Sequence, residues 1–124
     1  MFEEIGIELF PEFAKEDYAE YFLTGKDPEI FRLFNYKNYY IVAELVNDNC
    51  WLSIIKDGEK SHNILSQCKN LIDELLKEHR IAFFWRKGIR NEVLIQRLLA
   101  NYSYTNYNPN DNCSFSVIDN EKLF

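Results

Sequence analysis

A mixed α/β domain with a partly parallel sheet is predicted for this chain by two patterns. Alternating or continuous apolar runs are interleaved with stretches of helical apolar spacing. In the second half, strand, helix and strand follow one another with no hairpin turn between the strands, which demands a right-handed crossover and a parallel pair. The 124 residues are the size of one domain, so residues 1–124 are expected to fold as a single unit. An apolar content of 47% supplies enough surface to offset the entropy of ordering the chain, which makes disorder a poor explanation.

From the start, Ile5, Ile7 and Leu9 alternate with Glu4, Gly6 and Glu8, the period of a half-buried strand. Pro11 suits a first helical turn, and Phe10, Phe13, Ala14, Tyr18, Tyr21 and Phe22 continue that helix until Gly25. Asp27 and Pro28 read as the cap and first turn of a short second helix carrying Ile30, Phe31 and Phe34. Residues 39–46 and 50–56 are strand-like runs around Asn47, Asp48 and Asn49, hence a hairpin that ends at Asp57 and Gly58.

Ile64, Leu65, Cys68, Leu71, Ile72, Leu75 and His79 mark the most regular amphipathic helix, with Ser61 or Asn63 as its cap. Residues 81–85 form a continuous apolar run, as in a strand covered on both faces. A helix from Asn91 to about Asn101 buries Leu94, Ile95, Leu98 and Leu99. Two strands, 102–107 and 114–118, then flank a turn at Asn108, Pro109, Asn110 and Asp111. The order is β-α-α-β-β-α-β-α-β-β.

Charge narrows the partners. Residues 1–34 hold nine acids against three bases, which equals the net charge of −6 carried by the whole chain. An acidic first third repels phosphate backbones, so nucleic acid is disfavoured and a basic protein partner is the more natural match. Its alternative is a solvated helix face. Arg80, Arg86, Lys87, Arg90 and Arg97, near Trp85, are the one basic group able to meet a phosphate. No apolar run reaches the ~20 residues of a membrane span, and the N-terminus lacks a basic start, so the cytoplasm is the expected compartment. Cys50, Cys68 and Cys113 have no C-x-x-C spacing, and His62 and His79 are too far apart to share a metal. Reduced, structural cysteines and no metal site are expected, with Cys68 on the apolar stripe of its helix.

Residues 51–58 (strand and turn), 59–63, 64–79, 81–87 and 91–104, taken in this order, resemble the GNAT superfamily of acyl-CoA-dependent N-acyltransferases. The last segment is similar to the family's second signature, an asparagine opening an amphipathic helix that leads into a strand, with Ser103 and Tyr104 where Gly-Phe is usual. Short GNAT-like proteins encoded by bacteriophages look closest.

The resemblance implies a GNAT-like mixed sheet and acetyl-CoA as cofactor. The diphosphate would lie on the amides near Ile64, and the pantetheine arm along the end of the preceding strand. It carries cofactor binding to Ile54, Ile55, Gly58, Lys60, Ser61, His62, Asn63 and Asn91, with Arg86, Lys87 and Arg90 near a 3′-phosphate. The chain departs from the pattern in two places. Its phosphate loop keeps only Gly58, with Asp57 and Glu59 beside it, and Leu98 stands where many members carry a tyrosine acid. Tyr102 or Tyr104 would have to replace that acid. Glu44, an acid within an apolar strand, is the candidate general base, with an outward-facing strand residue as its alternative. Three readings follow: an N-acetyltransferase acting on an amine, an inactive GNAT-like viral protein that inhibits a host or defence protein in the host cytoplasm, and a self-associating assembly component.

Overall fold

The computed structural model describes residues 1–15, 31–46, 49–86, 88 and 91–118. Seven strands form a single sheet in the order β1-β2-β3-β4-β5-β7-β6. They are β1 (Glu3–Ile5), β2 (Phe31–Tyr36), β3 (Tyr39–Val46), β4 (Asn49–Lys56), β5 (Arg80–Arg86), β6 (Tyr104–Asn110) and β7 (Cys113–Ile118). Two helices, α1 (Leu65–Leu75) and α2 (Glu92–Leu99), pack on one face. Among the described residues only β4 and β5 pair in parallel, with α1 as their crossover. Among the described residues, no helix is long and apolar enough to cross a membrane.

Alternation along the strands builds two cores. Ile41, Ala43, Cys50, Leu52, Ile81, Phe83 and Trp85 face the helices and meet Cys68, Ile72, Leu75, Ile95, Leu98 and Leu99. Val42 and Leu33 face the other way, against Phe10 and Ala14. The apolar stripe read for α1 is therefore its buried face. Its Cys68 thiol is 1% exposed, and burial pushes its pKa up to about 12, as a small hydrophobe rather than a nucleophile.

Several expectations are corrected. The first strand ends at Ile5, and Ile7–Leu9 is a 3-10 turn, closed by Leu9 N–H to Gly6 and Phe10 N–H to Ile7. That turn leaves Leu9 in solvent and delivers Phe10 to the second core. Of the short helix expected over Ile30, Phe31 and Phe34, Ile30 lies outside the described residues, and Phe31 and Phe34 belong instead to strand β2, which pairs with β3 from Phe31↔Glu44 to Tyr36↔Tyr39. Helix α1 stops at Leu75 rather than His79. Lys77 and Glu78 N–H bond three residues back, to Glu74 and Leu75, tightening the last turn so that β5 starts at Arg80. The final turn lies at Asp111 and Asn112, so β6 runs on through 108–110. The end of the first helix, Gly25 and most of the acidic residues of the first third lie outside the described residues.

Candidate functional site

The site is made by a parting of strands. β4 and β5 pair from Asn49↔Arg80 to Leu52↔Phe83 and no further. Beyond that point β4 continues along β3, from Ser53↔Val42 to Lys56↔Tyr39, while β5 continues along β7, from Phe84↔Phe115 to Arg86↔Cys113. A slot opens between Ser53–Lys56 and Phe84–Arg86. Asn91, just before α2, reaches its β4 side, donating from its side-chain amide to the Ile54 carbonyl at 2.9 Å. Strand alternation sends the N–H and C=O of successive residues to opposite neighbours, so Ile54 offers its peptide groups to the slot. Those of Ile55 go to β3, which corrects its expected role at the cofactor.

On the helix side, a pocket of about 410 Å³ lies over the outer end of the slot. Tyr39, Lys56, Ser61, His62, Asn63, Ile64, Leu65, Asn91 and Arg97 are among its lining residues. The loop before α1 is tied down. Asn38 donates to the carbonyls of Asp57 and Lys60, and Asp57 N–H to the Asn38 carbonyl. Lys56 Nζ donates to Ser61 Oγ at 2.6 Å, and the Tyr39 hydroxyl accepts from His62 N–H at 3.3 Å. Neither expected cap is the N-cap, which is Ile64; Asn63, one residue before it, accepts from Leu65 N–H through Oδ1 at 3.3 Å. The next amides, Ser66 and Gln67, precede the first intrahelical bond, Cys68 N–H to Ile64, and have no partner among the described residues. They line a smaller polar pocket of about 260 Å³, which shares Asn63 and Leu65 with the first.

The electrostatics of this end are cationic. Desolvation first, then Lys37, Lys60 and Lys56, holds the His62 imidazole below its ordinary pKa. Neither Asp57 nor Glu59 lines the pocket. Gly58 takes a left-handed φ of 85°, and nothing lies within 4 Å of where a β-carbon would sit. Ser61, His62, Asn63 and Asn91 are thus brought to one pocket, while Gly58 and Lys60 stand beside it. Lys56, Tyr39 and Asn38 were missed by the sequence reading; the signal for Lys56 was a cation ending the strand ahead of the loop.

The opposite face holds a second pocket, of about 370 Å³, lined by Glu44, Val46, Trp51, Leu52, Ser53 and Phe84. Ser53 and Phe84 are the first residues past the parting, so this pocket opens at the root of the slot. Glu44 is half-buried opposite Trp51, with no hydrogen-bond or ion-pair partner among the described residues.

The expected tyrosine acids are elsewhere. Tyr104 on β6 pairs with Ile118, which pairs with Ile81, so it is separated from β4 by both β7 and β5 and lies at the closed end of the β4–β5 pair. Tyr102 donates its hydroxyl to Asp73 on α1 at 2.8 Å. Desolvation, that bond and the Asp73 charge raise its pKa. Leu98 is fully buried in the core. The expected basic group is divided as well. Arg80 and Arg86 stand at opposite ends of β5, about 20 Å apart, Arg97 lines the helix-side pocket, and Lys87 and Arg90 lie outside the described residues. Among the described residues no cluster of metal-ligating side chains occurs.

No protein-family model and no curated protein matches the sequence. Among solved structures, the chain is similar to the ribosomal-protein-S18-alanine N-acetyltransferase from Escherichia coli. The TM-score is 0.59 at 15% identity, over 100% of this chain and 98% of that one. At that identity the likeness is one of fold, and it spans both chains from end to end. This chain has the GNAT fold.

Proposed function

We propose that this chain is an acyl-CoA-dependent N-acyltransferase that transfers an acetyl group to an amine. One observation carries the reading: β4 and β5 part after Leu52 and Phe83, directly beside a cationic pocket at the start of α1. The residues fit the cofactor. Ser66 and Gln67 N–H, at the positive end of the α1 dipole, and Lys56, His62 and Arg97 would hold its phosphates. The Ile54 edge of β4 would pair with its pantetheine amides, the Ile54 carbonyl accepting there through the lone pair that Asn91 leaves over.

Acetyl-CoA would supply an activated acetyl thioester. The chain's own part is positioning and proton removal. Glu44 accepts the proton of an incoming ammonium at the root of the slot, leaving a neutral amine whose lone pair is available for attack. Calorimetry with CoA and acetyl-CoA tests the binding step, and release of CoA thiol on adding amines tests turnover. Saturable heat with thiol release supports the reading, and no heat with either ligand rejects it.

The engagement of Tyr102 by Asp73 favours a second reading. In it the same slot binds the thioester without turning it over, and the chain acts by contacting another protein. Saturable CoA binding without thiol release from any amine tried would select it.

A further inference from the structure

We propose that the acceptor is a monoamine carried on an aromatic or otherwise apolar skeleton, taken up by the Glu44 pocket; calling it the acceptor rests on the acyltransferase reading above. The described lining has one carboxylate, Glu44, one hydroxyl, Ser53, and no cation, and the remainder is Val46, Trp51, Leu52 and Phe84. A single carboxylate balances a single ammonium. A polyamine would bring further charges into an apolar wall with nothing to pair them, and an amino sugar would leave its hydroxyls unbonded there. The volume of about 370 Å³ holds one ring with a short arm.

The wall is built for a ring. Trp51 lies beside Ala82 in the β4–β5 register, and that small side chain lets the indole reach Phe115, 5.9 Å between ring centroids. Phe115 is stacked in turn on Tyr107, at 4.6 Å and 12°. The row is braced from β4 to β6. Phe84, opposite Phe115 in register, is 53% exposed, an aromatic face left to solvent at the mouth of the pocket. An ammonium beside Glu44 would also meet the faces of these rings, which attract cations.

The test titrates phenylethylamine, its neutral counterpart phenylethanol, and spermidine into the full chain, followed by tryptophan fluorescence, with CoA titrated separately. Phenylethylamine should bind about tenfold more tightly than either of the others. Glu44→Gln should remove the difference between amine and alcohol, and Phe84→Ala should weaken both. Ser53→Lys, which sets a tethered ammonium beside Glu44, should abolish amine binding. Equal or tighter binding of spermidine, or a Glu44→Gln chain that still prefers the amine, would overturn the inference. Amine selectivity without CoA binding would overturn the acyltransferase reading and leave the pocket's preference standing; CoA binding without amine selectivity would do the reverse.

Discussion

The two pockets that meet at the slot are opposite in character. The one on the helix face gathers Lys56, His62 and Arg97 and adjoins the smaller pocket lined by Ser66 and Gln67, whereas the one on the other face has a lone Glu44 among aromatic and aliphatic side chains. One parting of two strands serves both. The difference teaches that a sheet can hold an anion and a cation apart at one seam, because successive residues of a strand point to opposite faces. Lys56 and Ile54 face the helices, and Trp51 and Ser53 face away.

The most damaging change is to the seam both pockets share. Phe83 is 1% exposed at the last paired register, opposite Leu52, and Phe83→Ala should cost about 3–5 kcal/mol, read by urea denaturation, with both ligand affinities falling together. Lys56→Glu should separate the pockets. CoA affinity should fall by a factor of about 10 to 100, through loss of a charge-assisted bond and gain of repulsion, with amine affinity unmoved.

Asn91→Ala leaves the Ile54 carbonyl without its partner and should lower stability by about 1 kcal/mol, read by urea denaturation. The smallest effect is that of pH. His62 is held below its ordinary pKa in the free chain, and a bound phosphate raises it, so binding takes up protons. CoA affinity should therefore rise as pH falls from the bound-form pKa toward the free-form value and level off below it. In His62→Gln that part of the slope should vanish.

What the sequence disclosed, and what it hid, follows from the same geometry. α1 was legible because one apolar stripe on a polar helix has an unambiguous period, and the β3–β4 hairpin because Asn and Asp bound its turn. β2 was misread because it is buried on both sides. Phe31 and Leu33 go to one core and Phe34 to the other, so no alternation survives, and Phe31 and Phe34 stand three apart as they would on a helix.

Tyr104 was named for a different reason, its nearness in sequence to Leu98, and nearness along the chain does not carry across a sheet: it lies opposite Ile118, at the closed end of the β4–β5 pair. Asn91 was named from the resemblance, yet its bond to a carbonyl 37 positions earlier has no local signal. The charge contrast between the pockets was hidden too, since it depends on which face each side chain takes.

The claim on which the rest turns is that the amides at the start of α1 and along the outer half of β4 receive a CoA phosphate and pantetheine. Amide resonances of the isotopically labelled chain, followed as CoA is added, test it directly. Saturable shifts concentrated at Ile54, Lys56, Ser66 and Gln67 are the predicted result. Saturable binding that leaves those four resonances in place, or no binding at all, would contradict it.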